Sequence, residues 1–189
     1  MADFKLTYST MFNPPEELHK GFDKAVAKLK TNLGREYGMI IDGKDVFAEQ
    51  KFEDRSPVNT DWVLATLQKG NATHANMAIE AARKAFPHWS RTPWKKRVQL
   101  VRKACSIIEK RIFELGAAMA LEVGKNRMES LGDVQETADL MYYSAQMMEE
   151  NDGFIKPMGK DPLAGFDSTN VSVLRPYGVW LIISPFNFP

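Results

Sequence analysis

Cysteine, histidine and excess charge are all scarce in this sequence, and each scarcity removes a class of function. One cysteine, Cys105, cannot build an internal disulfide framework or a Cys-rich zinc site. His19, His74 and His88 are too scattered to complete a metal-ligand cluster, so no metal is expected. With Lys+Arg 25 against Asp+Glu 24, the net charge of +1 leaves no electrostatic footprint for nucleic acid or an anionic membrane, and neither partner is expected. Long apolar runs are also missing: nothing approaches the ~20 consecutive residues of a membrane span. The opening residues 1–12 carry Asp3 and no apolar stretch, unlike a secretory signal or an Arg-rich transit peptide. A reducing cytoplasmic compartment is the expectation.

What the sequence does have is 44% hydrophobic residues in 189, enough for a substantial core. Pro14-Pro15-Glu16-Glu17 reads as a helix start, and Leu18, Phe22, Val26, Leu29 and Leu33 form one apolar stripe up to Gly34, which is expected to close the helix. This arm needs a body to lie against. Met39-Ile40-Ile41, Asp42-Gly43 and Lys44-Asp45-Val46 spell strand, two-residue turn and strand. Trp62 to Gln68 reads as a further strand. Helical periodicity begins at Thr73, a candidate cap, and runs through Ala75, Ala78, Ile79, Ala82 and Phe86 to an expected stop at Pro87. It restarts at Thr92-Pro93 as two consecutive helices ending at Val123-Gly124, and again from about Met128 to Asn151-Asp152-Gly153. Lys156 to Ser168 reads as loop and Thr169 to Arg175 as a strand. The tryptophans, the methionines near Met141 and the basic cluster Arg91 to Arg97 read as packing residues and a solvated helix start.

The last segment carries the chemistry. Val179 to Ser184 is a continuous apolar run of the kind that forms a strand buried on both faces of a parallel sheet, and ligands of such sheets bind beyond the strand's carboxyl end. There, Pro185-Phe186-Asn187-Phe188-Pro189 fixes its backbone with two prolines and presents Asn187 as an oriented amide donor. Such a donor suits an oxyanion hole, and it equally suits the support of a turn. Cys105 is the available thiol, but it lies mid-helix in the stripe from Val98 to Ile112, with no cap or base to lower its pKa. That is a core cysteine rather than a nucleophile.

The stretch Arg175-Pro-Tyr-Gly-Val-Trp-Leu-Ile-Ile-Ser-Pro-Phe-Asn-Phe-Pro189 resembles a signature of the NAD(P)-dependent aldehyde dehydrogenases. Ile41-Asp-Gly-Lys44, Ser56-Pro-Val-Asn59, Ala78 to Phe86 with Trp89, and Leu121-Glu-Val-Gly-Lys125 follow in the order of that family. The arm, Glu122-Val-Gly-Lys-Asn126 and Ser184 to Phe188 are most similar to the branch that oxidises L-glutamate γ-semialdehyde, the open form of 1-pyrroline-5-carboxylate.

The resemblance implies an α/β fold, the N-terminal part of an aldehyde dehydrogenase. Residues 1–38 would form the helical arm and 39–168 the hairpin layer and helices of the cofactor domain. Residues 169–178 would be an assembly strand and turn, and 179–189 the first strand of the nucleotide-binding sheet. It implies Asn187 as oxyanion donor; Ile183, Ser184, Pro185 and Phe186 beside NAD or NADP; and Phe188 as an aromatic wall of the aldehyde tunnel. Glu136 matches a glutamate near the substrate pocket, the alternative being a solvated helix charge.

The implied reaction is attack of a cysteine thiolate on the aldehyde, hydride transfer to the nicotinamide and hydrolysis of the thioester. The resemblance places the cysteine and the general-base glutamate beyond Pro189, so these residues alone are expected to be inactive. Partners expected are a small aldehyde and either further copies or a complementary C-terminal portion. Another aldehyde specificity, or a short non-catalytic paralogue serving in assembly or regulation, are the competing readings.

Overall fold

A computed structural model of the chain describes residues 13–188; residues 1–12 and Pro189, which closes the motif, lie outside them. The arm is helix α1, Glu16–Lys30, begun after Pro15, with Glu16 and Glu17 in its first turn and Lys28 and Lys30 in its last, as the helix dipole favours. It ends before Gly34, because Thr31 Oγ1 donates to the Lys28 carbonyl at 2.7 Å and satisfies that end early. Gly34, at φ +75°, instead serves the turn into the sheet, donating its amide to the Val63 carbonyl at 2.7 Å.

Three short strands form one sheet: β1, Arg35–Glu36, runs parallel to β5, Val63–Gln68, and β4, Lys51–Arg55, pairs antiparallel on its other side. A separate hairpin joins β2, Met39–Ile41, to β3, Lys44–Val46. Its turn residues Asp42 and Gly43 have φ of +51° and +72°, the left-handed pair that makes Asp-Gly a hairpin turn. Buried Gln68 ties the two units together. Its amide donates to Glu36 Oε1 and to the Tyr37 carbonyl, each at 3.0 Å, and accepts from the Ala48 amide at 2.9 Å.

Helix α2, Ala72–Arg91, departs from expectation at both ends. Asn71, not Thr73, is the cap: its side chain accepts from the Thr73 and His74 amides, and the His74 ring accepts from the Asn71 amide. Pro87 lies inside the helix, which stops only at Thr92, whose extended backbone is imposed by the following Pro93. The apolar face of α2 is not buried either; Ile79 and Met77 are exposed.

Helix α3 spans Trp94–Lys110, α4 Ile112–Val123 and α5 Arg127–Glu150. The core forms where α1 and α5 meet α4: Leu18, Phe22, Ala117, Ala120 and Leu131, flanked by Phe113 and Met128. Two glycines permit that closeness. A Cβ on Gly21 would sit 2.8 Å from the Phe113 ring, and one on Gly116 would sit 2.8 Å from Leu131 Cδ2. Arg127 adds a polar latch to the arm, pairing with Asp23 and His19 while its guanidinium lies over the Phe22 ring.

Along α3 and α5, Val98, Cys105, Val134, Ala138 and Ala145 are buried. Cys105 is fully buried and burial pushes its thiol up, as expected of a core residue rather than a nucleophile. Above it, Arg102 grips Glu149, and the Tyr142 hydroxyl donates to Glu109 at 3.1 Å.

After α5 the chain reverses through Asp152, Gly153 and Phe154, all with positive φ (50°, 72° and 56°). Gly153 is required there twice over, since a Cβ would run into the Trp94 ring, whose Cγ would lie only 2.7 Å away. Strands β6, Ile155–Pro157, and β7, Val171–Val173, then pair antiparallel, so the expected strand from Thr169 to Arg175 contracts to its centre.

The largest departure is Val179 to Ser184. These residues form no strand, and Leu181, Ile182 and Ile183 are each more than 80% exposed. A strand exists through its ladder, and no neighbouring strand among the described residues offers one.

Candidate active site

The turn between α4 and α5 is built to hold a lysine. Gly124 ends α4 in the left-handed conformation, φ +73°, and Asn126 starts α5 by accepting from the Met128 and Glu129 amides at 3.0 Å each. Lys125 is pinned between them. Its ammonium donates to the Asp133 carboxylate, with both side chains less than one-fifth exposed, and stands 3.6 Å from the centroid of the Phe188 ring.

One turn along α5 from Asp133 comes Glu136, on the same helix face. With Met119, Thr137, Leu140 and Phe188 these two acids line a hollow of about 280 Å³. An adjoining hollow of about 270 Å³ shares Met119 and Thr137 and runs past Glu122 toward Ile108. A larger one between the β2–β3 hairpin and α2 contains none of the candidate catalytic, cofactor or substrate residues.

Of those residues, the structure brings Glu136 and Phe188 to one hollow, with Glu136 exposed at its edge. Asn187 is exposed and makes no hydrogen bond among the described residues, leaving its amide free to donate. Ile183, Ser184, Pro185 and Phe186 are exposed as well, and within the segment the Phe188 amide donates to the Pro185 carbonyl at 3.1 Å. Together they make an open surface rather than a cradle. Lys125 and Asp133 were missed as a pair. The signal was present in Lys125 directly after a capping glycine and Asp133 sharing the helical spacing of Glu136 and Leu140, but a contact between a turn lysine and the chain's far end has no local signature.

Glu122, in the same stretch, faces Asp54 of β4. Burial pushes both carboxyls up, and for Glu122 the Asp54 charge adds to it. The folded state therefore holds these protons more tightly than the unfolded chain. The penalty is absent below the ordinary carboxylate range and grows as pH rises through the raised values. Glu122→Gln is expected to raise the melting temperature at about pH 7 and to lose that gain by about pH 4. Melting variant and parent at both pH values checks it, because the opposite acid sensitivity of Glu36, Glu114 and Glu149 cancels in the difference. An equal gain at both would refute the linkage.

An α/β chain whose final Pro-Phe-Asn-Phe segment leans on a helix-lined hollow is the N-terminal architecture of a dehydrogenase of aldehydes. The aldehyde dehydrogenase family pattern matches residues 46–189, and the chain belongs to that family. It is 34% identical over 175 residues, 92% of the chain, to a 1-pyrroline-5-carboxylate dehydrogenase of Geobacillus sp., and 36% identical over 171 residues to that of Geobacillus thermodenitrificans. It covers 33% and 32% of those two proteins, about a third of their length. A crystal structure of 1-pyrroline-5-carboxylate dehydrogenase from Thermus with bound NAD superposes with a TM-score of 0.83 at 31% identity, over 94% of this chain and 34% of that one.

Proposed function

We propose that this chain is the N-terminal portion of an NAD(P)-dependent aldehyde dehydrogenase that oxidises L-glutamate γ-semialdehyde to glutamate, the step that proline breakdown requires. The observation that supports it is the meeting of Phe188 and Glu136 at one hollow, next to Asn187, whose amide has no hydrogen-bond partner among the described residues. On this reading Asn187 donates to the oxygen that gains negative charge when the aldehyde carbon is attacked. Phe188 and Leu140 keep that carbon's chain in an apolar channel, and Glu136 at the rim faces the substrate's ammonium.

The nucleophilic cysteine and the general-base glutamate belong to the sequence beyond Pro189, and buried Cys105 does not replace the first. Ile183 to Phe186 would form one side of the nucleotide site, and the cofactor there supplies a hydride acceptor. Copies would assemble through the exposed β6–β7 hairpin.

A chimera in which residues 1–189 replace the corresponding third of the Geobacillus sp. enzyme tests the reading. NADH formation from glutamate semialdehyde is expected, while the 189 residues alone give none above a denatured control. Turnover of simple aldehydes in preference to the semialdehyde would overturn the substrate assignment, and turnover by the 189 residues alone would overturn the placement of the nucleophile.

A further inference from the structure

We propose that Lys125, held by Asp133, is a positioning residue whose ammonium clamps the Phe188 ring and thereby fixes the Pro185–Phe188 turn, and the Asn187 amide within it, against α5. The role of Asn187 in this statement rests on the dehydrogenase reading; the clamp does not.

Three observations carry it. First, Lys125 has little freedom, because its backbone is fixed by the left-handed Gly124 on one side and the capping Asn126 on the other. Second, its ammonium has a carboxylate on one side and the face of an aromatic ring 3.6 Å away on another, in surroundings that expose only 16% of the lysine side chain. A sheltered ion pair adds little net stability by itself, since desolvation offsets its Coulomb gain. The same shelter strengthens attraction between a cation and the negative face of a ring. The pair is thus better suited to orienting Phe188 than to stabilising the helices.

Third, the terminal segment has little else to direct it. Residues 179–188 are all exposed, Trp180 packs edge-on against neighbouring Tyr177, and the Phe188 amide bond to Pro185 is internal to the turn. Without the Lys125 contact, only the open edge of the hollow beside Phe188 would aim Asn187. With it, the amide is referenced to the helix that also carries Glu136.

The test reads the contact and its consequence separately. In NMR spectra of the 189-residue chain, the ε-methylene protons of Lys125 are expected upfield of the other lysines through the Phe188 ring current, and to return to the common position in Phe188→Leu. The heteronuclear NOE of the Asn187 amide is expected to fall in Lys125→Met and to persist in Lys125→Arg, with α5 amides unchanged. In the chimera, Lys125→Met is expected to lower kcat by about 10²-fold with the KM for NAD little altered, the size that small misplacements of a reacting group produce, and Lys125→Arg to recover most of it.

An unshifted Lys125 signal, or an Asn187 NOE indifferent to Lys125→Met, would overturn the proposal. Should Lys125→Met lose its folded spectrum, Phe188→Leu decides: a lost shift with a lower Asn187 NOE supports the clamp, and either one unchanged overturns it. A chimera without turnover would overturn the dehydrogenase reading while the two NMR results stand on their own.

Discussion

Asn187→Ala is expected to lower kcat of the semialdehyde-oxidising chimera by about 10²- to 10³-fold, about 3 to 4 kcal/mol of transition-state stabilisation. The amide is useful because it is oriented before reaction and the charge it meets exists only during reaction. Deletion should therefore depress kcat far more than it raises KM. Steady-state kinetics on the parent chimera and its Asn187→Ala variant measures this. A raised KM at unchanged kcat would mean that Asn187 holds the aldehyde and not its oxyanion, and an unaltered enzyme would return Asn187 to the support of a turn.

Leu131→Ala should cost about 3 kcal/mol of folding stability, within the ~2 to 5 kcal/mol range for buried leucines. Leu131 is 1% exposed and fills the seam where α5 meets Gly116 of α4 and the arm residues Leu18 and Phe22. Its loss leaves a hole that three helices share and none can close without breaking its other contacts. Leu140, on the same helix and 59% exposed, is the control, with Leu140→Ala expected within about 0.5 kcal/mol of the parent. Urea denaturation of the 189-residue chain compares them, and similar losses for both would contradict the placement of the core.

Which parts were legible follows from the range of the forces involved. The Asp42-Gly43 hairpin, the break at Gly124 and the helix from about Met128 to Asn151 are readable because turn dihedrals and helical period are settled within a few residues. Asn71 was overlooked because Thr73, equally suited as a cap, stands two residues away; only the backbone shows which residue leaves the helix. Composition and the resemblance both point to a strand at Val179 to Ser184, yet composition states a preference and pairing decides the outcome, and no partner strand lies among the described residues. Of the residues that motif and spacing single out, Glu136 and Phe188 line one hollow. The clamp of Lys125 and Asp133 on Phe188 is not legible in the sequence, since the contact closes a loop of more than sixty residues, from Lys125 to Phe188, and depends on the whole helical body being in place.

The reversal at Gly153 has a mechanical consequence. Gly153, the middle of three consecutive left-handed residues, lies against the Trp94 indole with no room for a side chain, and the Leu174 amide bonds back to the Phe154 carbonyl at 3.1 Å just beyond it. The β6–β7 pair is consequently seated against the start of α3 as well as joined to the end of α5. A side chain added at Gly153 would therefore be felt at the start of α3 as well as at the end of α5.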